Sequence, residues 1–108
     1  GMVIYISEYV GDGPTSIISS IPVETYAFYL KAYEIELEEE VGFWHGETKF
    51  ENESISEFDS RFVVLISFYK ADWVYDFSVS ELENSGYEPL DKKEFPGGSG
   101  GVVWIFER

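Results

Sequence analysis

Apolar residues near the start of the chain predict a first strand that ends at a turn. Residues 3–10 are mostly β-branched, aromatic or aliphatic, a composition that is typical of strands. Gly11, Asp12, Gly13 and Pro14 follow. These residue types favour turns, because glycine adopts positive φ and proline fixes its own φ.

A long helix is predicted from Pro22 to Gly42. Pro22 suits the first helical turn, where no backbone N–H is needed, and Glu24 lies near the positive end of the helix dipole. Apolar or aromatic residues then recur at spacings of three or four, at Val23, Tyr26, Ala27, Leu30, Tyr33, Leu37 and Val41. One face of this helix can therefore be buried over about five turns.

Two other apolar segments predict strands. Residues 61–69 are apolar at both odd and even positions, which favours a central strand covered on both faces. In the segment Gly101–Glu107, Val102, Trp104 and Phe106 alternate with the remaining residues, as in a strand. We expect this segment to be the last strand.

The segment between these two strands allows two interpretations. Alternation over residues 73–79 favours a strand, and residues 80–85 would then form a short helix capped by Gly86. The alternative is a single helix over 72–85, with residues 48–58 as the hairpin partner of the central strand. Both interpretations give the element order βαββαβ.

This order predicts an α+β fold of the ferredoxin-like kind. We expect an antiparallel sheet of four or five strands, with one long helix and one short helix on one of its faces. The length is that of a single domain over residues 2–108, and Gly1 before Met2 is interpreted as a residue left from cloning.

Charge and composition exclude several classes of function. Seven Lys and Arg against 21 Asp and Glu give a net charge of −14, which disfavours direct binding to nucleic acids or to anionic membranes. The chain has no cysteine, which excludes disulfides and thiolate metal sites and favours a cytoplasmic location. No motif predicts a cofactor or a metal.

Most of the excess negative charge lies in one quarter of the chain. Between residues 34 and 59, ten carboxylates and one lysine give a net charge of −9. The acidic residues are Glu34, Glu36, Glu38, Glu39, Glu40, Glu47, Glu51, Glu53, Glu57 and Asp59. In the predicted helix several of them would be like charges four residues apart, near the negative end of the dipole, so helix stability does not explain them.

Three interpretations of this acidic segment remain open. It can keep an aromatic-rich protein soluble, or it can bind divalent cations. The third, which we adopt, is a surface that docks a basic protein partner, as an immunity protein or a nuclease inhibitor does, because patches of one sign accelerate association. The sequence therefore predicts a non-catalytic acidic binding protein.

The alternative function is a small-molecule sensor or a modest enzyme. Trp44, His45 and Glu47 supply an aromatic ring and a titratable pair, and a glycine-rich loop lies at residues 97–101, from Gly97 to Gly101. Eight tyrosines are many hydroxyls for a small core. They favour homodimerisation through the uncovered face of the sheet, or a cavity beneath it.

Overall fold

Three helices and five strands make up the part of the chain that the structure describes. The structure is a computed structural model, and it describes residues 2–20, 27–42, 58–67, 72–95 and 101–108. In chain order the elements are α1 (Met2–Val10), β1 (Thr15–Ser19), α2 (Ala27–Ala32), β2 (Leu37–Gly42), β3 (Phe62–Ser67), α3 (Asp72–Asn84), β4 (Glu88–Phe95) and β5 (Gly101–Glu107).

The five strands form one mixed sheet in the order β2-β1-β3-β5-β4. β1 pairs in parallel with both β2 and β3, whereas β5 pairs antiparallel with both β3 and β4. β3 therefore lies in the middle of the sheet, and β2 and β4 are its two edges.

Helices cover both faces of this sheet. Alternate residues of β3 and β5 contact α1 and α2 on one face, and the residues between them contact α3 on the other. The first apolar layer includes Tyr5, Ile6, Leu30, Val64 and Ile105, and the second includes Leu65, Leu82, Tyr87 and Phe106. The result is a three-layer arrangement in which β1 and β3 are buried throughout.

The predicted antiparallel, ferredoxin-like sheet with helices on one face is therefore wrong. The prediction missed β1, because three of its five residues carry hydroxyls. All five are nevertheless buried, and their hydroxyls find partners: Thr15 Oγ1 donates to the Gly13 carbonyl at 2.8 Å, and the Ser16 and Ser60 hydroxyls are hydrogen-bonded at 2.5 Å. α3 packs on the second face of the sheet, which was predicted to be uncovered. Homodimerisation stays a prediction.

The predicted first strand is the helix α1. Tyr5, Ile6 and Val10 are buried on one side of this helix, while Ile4 and Tyr9 are exposed. The same residues therefore satisfy a helical spacing once a sheet lies beneath them. Packing against the sheet decided the conformation against the strand preference of β-branched residues.

The predicted long helix divides into α2 and β2, so its extent is wrong. The described part of α2 ends at Ala32, and residues 21–26 lie outside the described residues. From Ile35 to Leu37 the apolar residues alternate with Glu36, which is the period of a strand as well as part of a helical spacing. Pairing of β2 with β1 selects the strand.

The predictions for the second half of the chain are confirmed in part. A central strand within residues 61–69 and a last strand over Gly101–Glu107 are confirmed. The strand predicted over residues 73–79 is wrong, because α3 forms the helical alternative. The hairpin partner proposed with that alternative falls mostly on residues 48–57, outside the described residues. β4 was not predicted.

Candidate functional site

An open cleft with a volume of about 640 Å³ lies where β1 and β2 begin. We call it the acidic cleft. It is lined by Gly11, Asp12, Gly13, Pro14, Lys31, Glu34, Ile35, Glu36 and Glu38. One wall is the turn between α1 and β1, and the other is the connection from α2 into β2.

The first wall is a turn that places Asp12 at the cleft. Gly11 has a φ of 53°, and its N–H donates to the Ser7 carbonyl at 3.0 Å, which ends α1. At Gly13 a Cβ atom would lie 2.7 Å from the ring of Phe62, so only glycine fits without displacing that buried side chain. The turn predicted at Asp12 and Gly13 is confirmed, and it holds the Asp12 carboxylate in an exposed position.

The second wall begins at the C-terminus of α2, which ends in a Schellman motif. The N–H of Glu34 donates to the Lys31 carbonyl at 3.0 Å, and the N–H of Ile35 donates to the Leu30 carbonyl at 3.0 Å. Leu30 and Ile35 are buried in the same apolar cluster. Glu34 has a φ of 59°, in the left-handed region, and its side chain is exposed.

The lining residues give the cleft a strongly negative charge. Asp12, Glu34, Glu36 and Glu38 contribute four exposed carboxylates, and Lys31 contributes one exposed cation, for a net charge of −3. Among the residues that the structure describes, no hydrogen bond or ion pair engages these four carboxylates. They therefore face water and are available to a cationic ligand.

The structure brings together three of the ten acidic residues predicted to bind a partner. Glu34, Glu36 and Glu38 line the cleft, whereas Glu40 and Asp59 are exposed elsewhere at the surface. Glu39 lies in β2, but its side chain is not described. The remaining predicted residues fall outside the described part of the chain: Glu47, Glu51, Glu53, Glu57, Trp44, His45 and residues 97–100.

None of the described acidic residues of this segment lies in a helix, so the predicted repulsion from like charges and from the helix dipole does not arise. Glu34 follows α2, Glu36 precedes β2, and Glu38 belongs to β2. β2 is an edge of the described sheet, where charged side chains discourage pairing with another chain.

Sequence reasoning missed Asp12 and Lys31 as lining residues. Asp12 gave only a turn signal, and Lys31 gave none.

A second polar cluster joins α1 to the other edge of the sheet. The hydroxyls of Tyr5 and Tyr9 both donate to Asp91 Oδ2, at 2.7 Å and 2.6 Å. The Lys93 Nζ lies 5.4 Å from the centroid of the Tyr5 ring and 5.3 Å from that of Phe95. Each charge of β4 in this cluster therefore has a partner within the molecule.

The tyrosine hydroxyls and Asp91 hold one another in fixed protonation states. Burial, followed by the hydrogen bond to Asp91, raises the pKa of Tyr5, and the hydrogen bond to Asp91 raises the pKa of Tyr9. The same two hydrogen bonds lower the pKa of Asp91 below its ordinary value. The phenols stay neutral and the carboxylate charged near neutral pH, so this cluster acts as a structural tie.

Comparisons with protein-family models, with curated proteins and with solved structures found no match. Within the described ranges no three His, Cys, Asp or Glu side chains are grouped so that they could hold a metal ion, and no helix is long and apolar enough to cross a membrane. Of the surfaces described, the acidic cleft combines concavity with unpaired charge.

Proposed function

We propose that the protein is a non-catalytic binding protein that docks a basic protein partner in the acidic cleft, in the manner of an immunity protein or a nuclease inhibitor. A cytoplasmic location is part of this proposal, since the chain has no cysteine. The cleft favours binding over catalysis, because its carboxylates are exposed to water rather than set against buried partners that would tune them as acids or bases.

The main support for this proposal is the backbone conformation of Glu34, at the end of α2. Glu34 occupies a left-handed position that costs a non-glycine residue about 1 kcal/mol or more. In the described chain the two other residues with positive φ are Gly11 and Gly86. Stability alone would therefore select glycine at position 34. A glutamate there is explained if its carboxylate serves the cleft.

Charge and size both suit a basic segment of a protein. A net charge of −14, with the cleft at −3, attracts a cationic partner from a distance and raises the rate of encounter. A volume of about 640 Å³ falls within the range of sites that hold several side chains or a small ligand. The docking should therefore weaken steeply as salt screens the charges.

Two variants with equal net charge test the proposal. The cleft variant carries Asp12→Asn, Glu34→Gln, Glu36→Gln and Glu38→Gln. The control variant carries Glu8→Gln, Glu83→Gln, Glu88→Gln and Glu94→Gln, at exposed positions outside the cleft. Each protein is immobilised, exposed at low salt to lysate of the source organism, and eluted with a salt gradient. Bound proteins are identified and quantified by mass spectrometry.

We expect wild type and the control variant to retain the same basic protein in stoichiometric amount, and the cleft variant to lose it. Circular dichroism and thermal unfolding show whether all three proteins are folded. Equal loss in the two variants would mean that net charge alone holds the partner and would refute the cleft as the docking site. Retention by the cleft variant would refute it as well.

A further inference from the structure

Three exposed aromatic rings lie on or directly after α2, the helix that leads into the acidic cleft. Phe28, Tyr29 and Tyr33 expose 78%, 58% and 45% of their surface, respectively. From these rings and the adjacent carboxylates, we infer that the docking segment of the partner presents arginine rather than lysine. This inference rests on the proposed function, because it specifies the chemistry of the same partner.

Two of the three rings contact each other, and the third lies one helical turn away. The rings of Phe28 and Tyr29 meet edge to face, with centroids 5.7 Å apart. Tyr33 follows one helical turn after Tyr29, and its N–H donates to the Tyr29 carbonyl at 3.3 Å. Side chains four residues apart lie on the same side of a helix. We call these three residues the aromatic face.

The aromatic face and the acidic cleft share one short element. The six residues of α2 span about 9 Å at 1.5 Å per residue. Lys31, within this helix, lines the cleft, and Phe28, three residues before it, lies on the same side of the helix. Glu34, a carboxylate of the cleft, follows Tyr33 directly in the chain. A bound segment of a few residues that contacts the Phe28 ring can therefore reach the carboxylates as well.

Arginine suits this combination better than lysine. A guanidinium group stacks on aromatic rings while donating two parallel hydrogen bonds to a carboxylate, whereas an ammonium group is compact and strongly hydrated. Arginine is also the cation found more often over aromatic faces. The negative charge of the cleft excludes an acidic ligand. A partner that binds by charge alone would make no use of the exposed rings.

Two peptides of equal charge test the inference, nona-arginine and nona-lysine. Their affinities are measured by isothermal titration calorimetry at low and at physiological salt. Four proteins are compared: wild type, the cleft variant, the control variant, and a ring-free variant with Phe28→Leu, Tyr29→Leu and Tyr33→Leu. Leucine keeps the apolar, helix-forming character of α2 but removes the rings.

We expect wild type and the control variant to bind nona-arginine about tenfold more tightly than nona-lysine. The ring-free variant should lose this preference and keep its affinity for nona-lysine. Equal binding of the two peptides by wild type, or a preference that survives in the ring-free variant, would overturn the arginine inference and leave the proposed function standing. If neither peptide binds wild type, or if the cleft variant binds both as well as the control variant, the proposed function itself fails.

Discussion

The C-terminal ends of α2 and α3 share one backbone geometry but differ in the residue that adopts it. In α2, Glu34 takes the left-handed position, with a φ of 59°; in α3, Gly86 takes it, with a φ of 90°. Both N–H groups donate to the carbonyl three residues earlier, at 3.0 Å and 3.1 Å. Both ends are Schellman motifs.

Each motif also contains a pair of buried apolar side chains. The N–H of Tyr87 donates to the Leu82 carbonyl at 3.0 Å, and both side chains are buried, as Leu30 and Ile35 are at the end of α2. The two ends thus agree in hydrogen bonds and in packing. They differ in the residue at the left-handed position, which favours glycine. Glu34, the residue that does not fit this preference, lines the acidic cleft. Local strain in this protein coincides with its candidate site.

Placing the α2 residue at the α3 end should have the largest effect on stability. A Cβ atom at Gly86 would meet no other atom within 4 Å, so the cost of Gly86→Glu is that of the left-handed conformation alone. We expect the free energy of unfolding to fall by about 1.5 kcal/mol. Urea denaturation measures it. Gly86→Gln should cost as much, because it carries the same strain without the charge; an unchanged stability in both would refute the strain at these helix ends.

Tyr87→Phe should have the next largest effect. The Tyr87 hydroxyl donates to the Ser60 carbonyl at 2.5 Å in a buried position, and losing this hydrogen bond should lower the free energy of unfolding by about 1 kcal/mol at neutral pH. Ile35, the corresponding residue after α2, has no such bond and does not titrate.

The effect of Tyr87→Phe should also depend on pH. Burial is the main cause that raises the pKa of Tyr87, although the Arg108 guanidinium opposes it. A group whose pKa is higher in the folded state stabilises the fold fully below its unfolded pKa of about 10, and this stabilisation is lost as pH rises further. The difference between wild type and Tyr87→Phe should therefore shrink above pH 10. Stability curves that stay parallel from neutral to alkaline pH would contradict this account.

Glu34→Gly should have the smallest effect on stability and the opposite sign. Removing the strain should raise the free energy of unfolding by about 0.5–1 kcal/mol, while loss of the carboxylate should weaken binding of nona-lysine. Glu36→Gly is the control, since it removes the same charge from the cleft at a position without positive φ. It should weaken binding without stabilising the fold. If Glu34→Gly left binding intact, the glutamate would have no function in the cleft.

The sequence predicted those residues of the candidate site that belong to a local excess of charge, and it missed the others. The excess of carboxylates between residues 34 and 59 was visible, and Glu34, Glu36 and Glu38 were among the predicted binding residues. Asp12 was interpreted only as part of a turn, because nothing in the chain indicated that this turn faces the end of α2. The strain at Glu34 was equally hidden, since a glutamate in the middle of an apolar spacing predicts a helix.

The fold was predictable where one element satisfies a single pattern. The six residues of β3 are buried on both faces and are apolar at both parities, so sequence and structure agree. β4 is mostly exposed and rich in charge, and it is a strand because it pairs with β5 and not because of its own residues. α1 and β2 each satisfied two patterns, and contacts distant in sequence chose between them.

The sequence by itself determined the central strand, the last strand, the cap at Gly86 and the excess of negative charge. Each of these depends on residues within a few positions of one another, so local preference and composition suffice. Only the tertiary structure decided that α1 is a helix, that β1 pairs in parallel with two strands, and that Asp12 and Glu34 line one cleft. The physical reason is that burial and strand pairing join segments far apart in the chain, and their combined free energy exceeds the preference of any single residue.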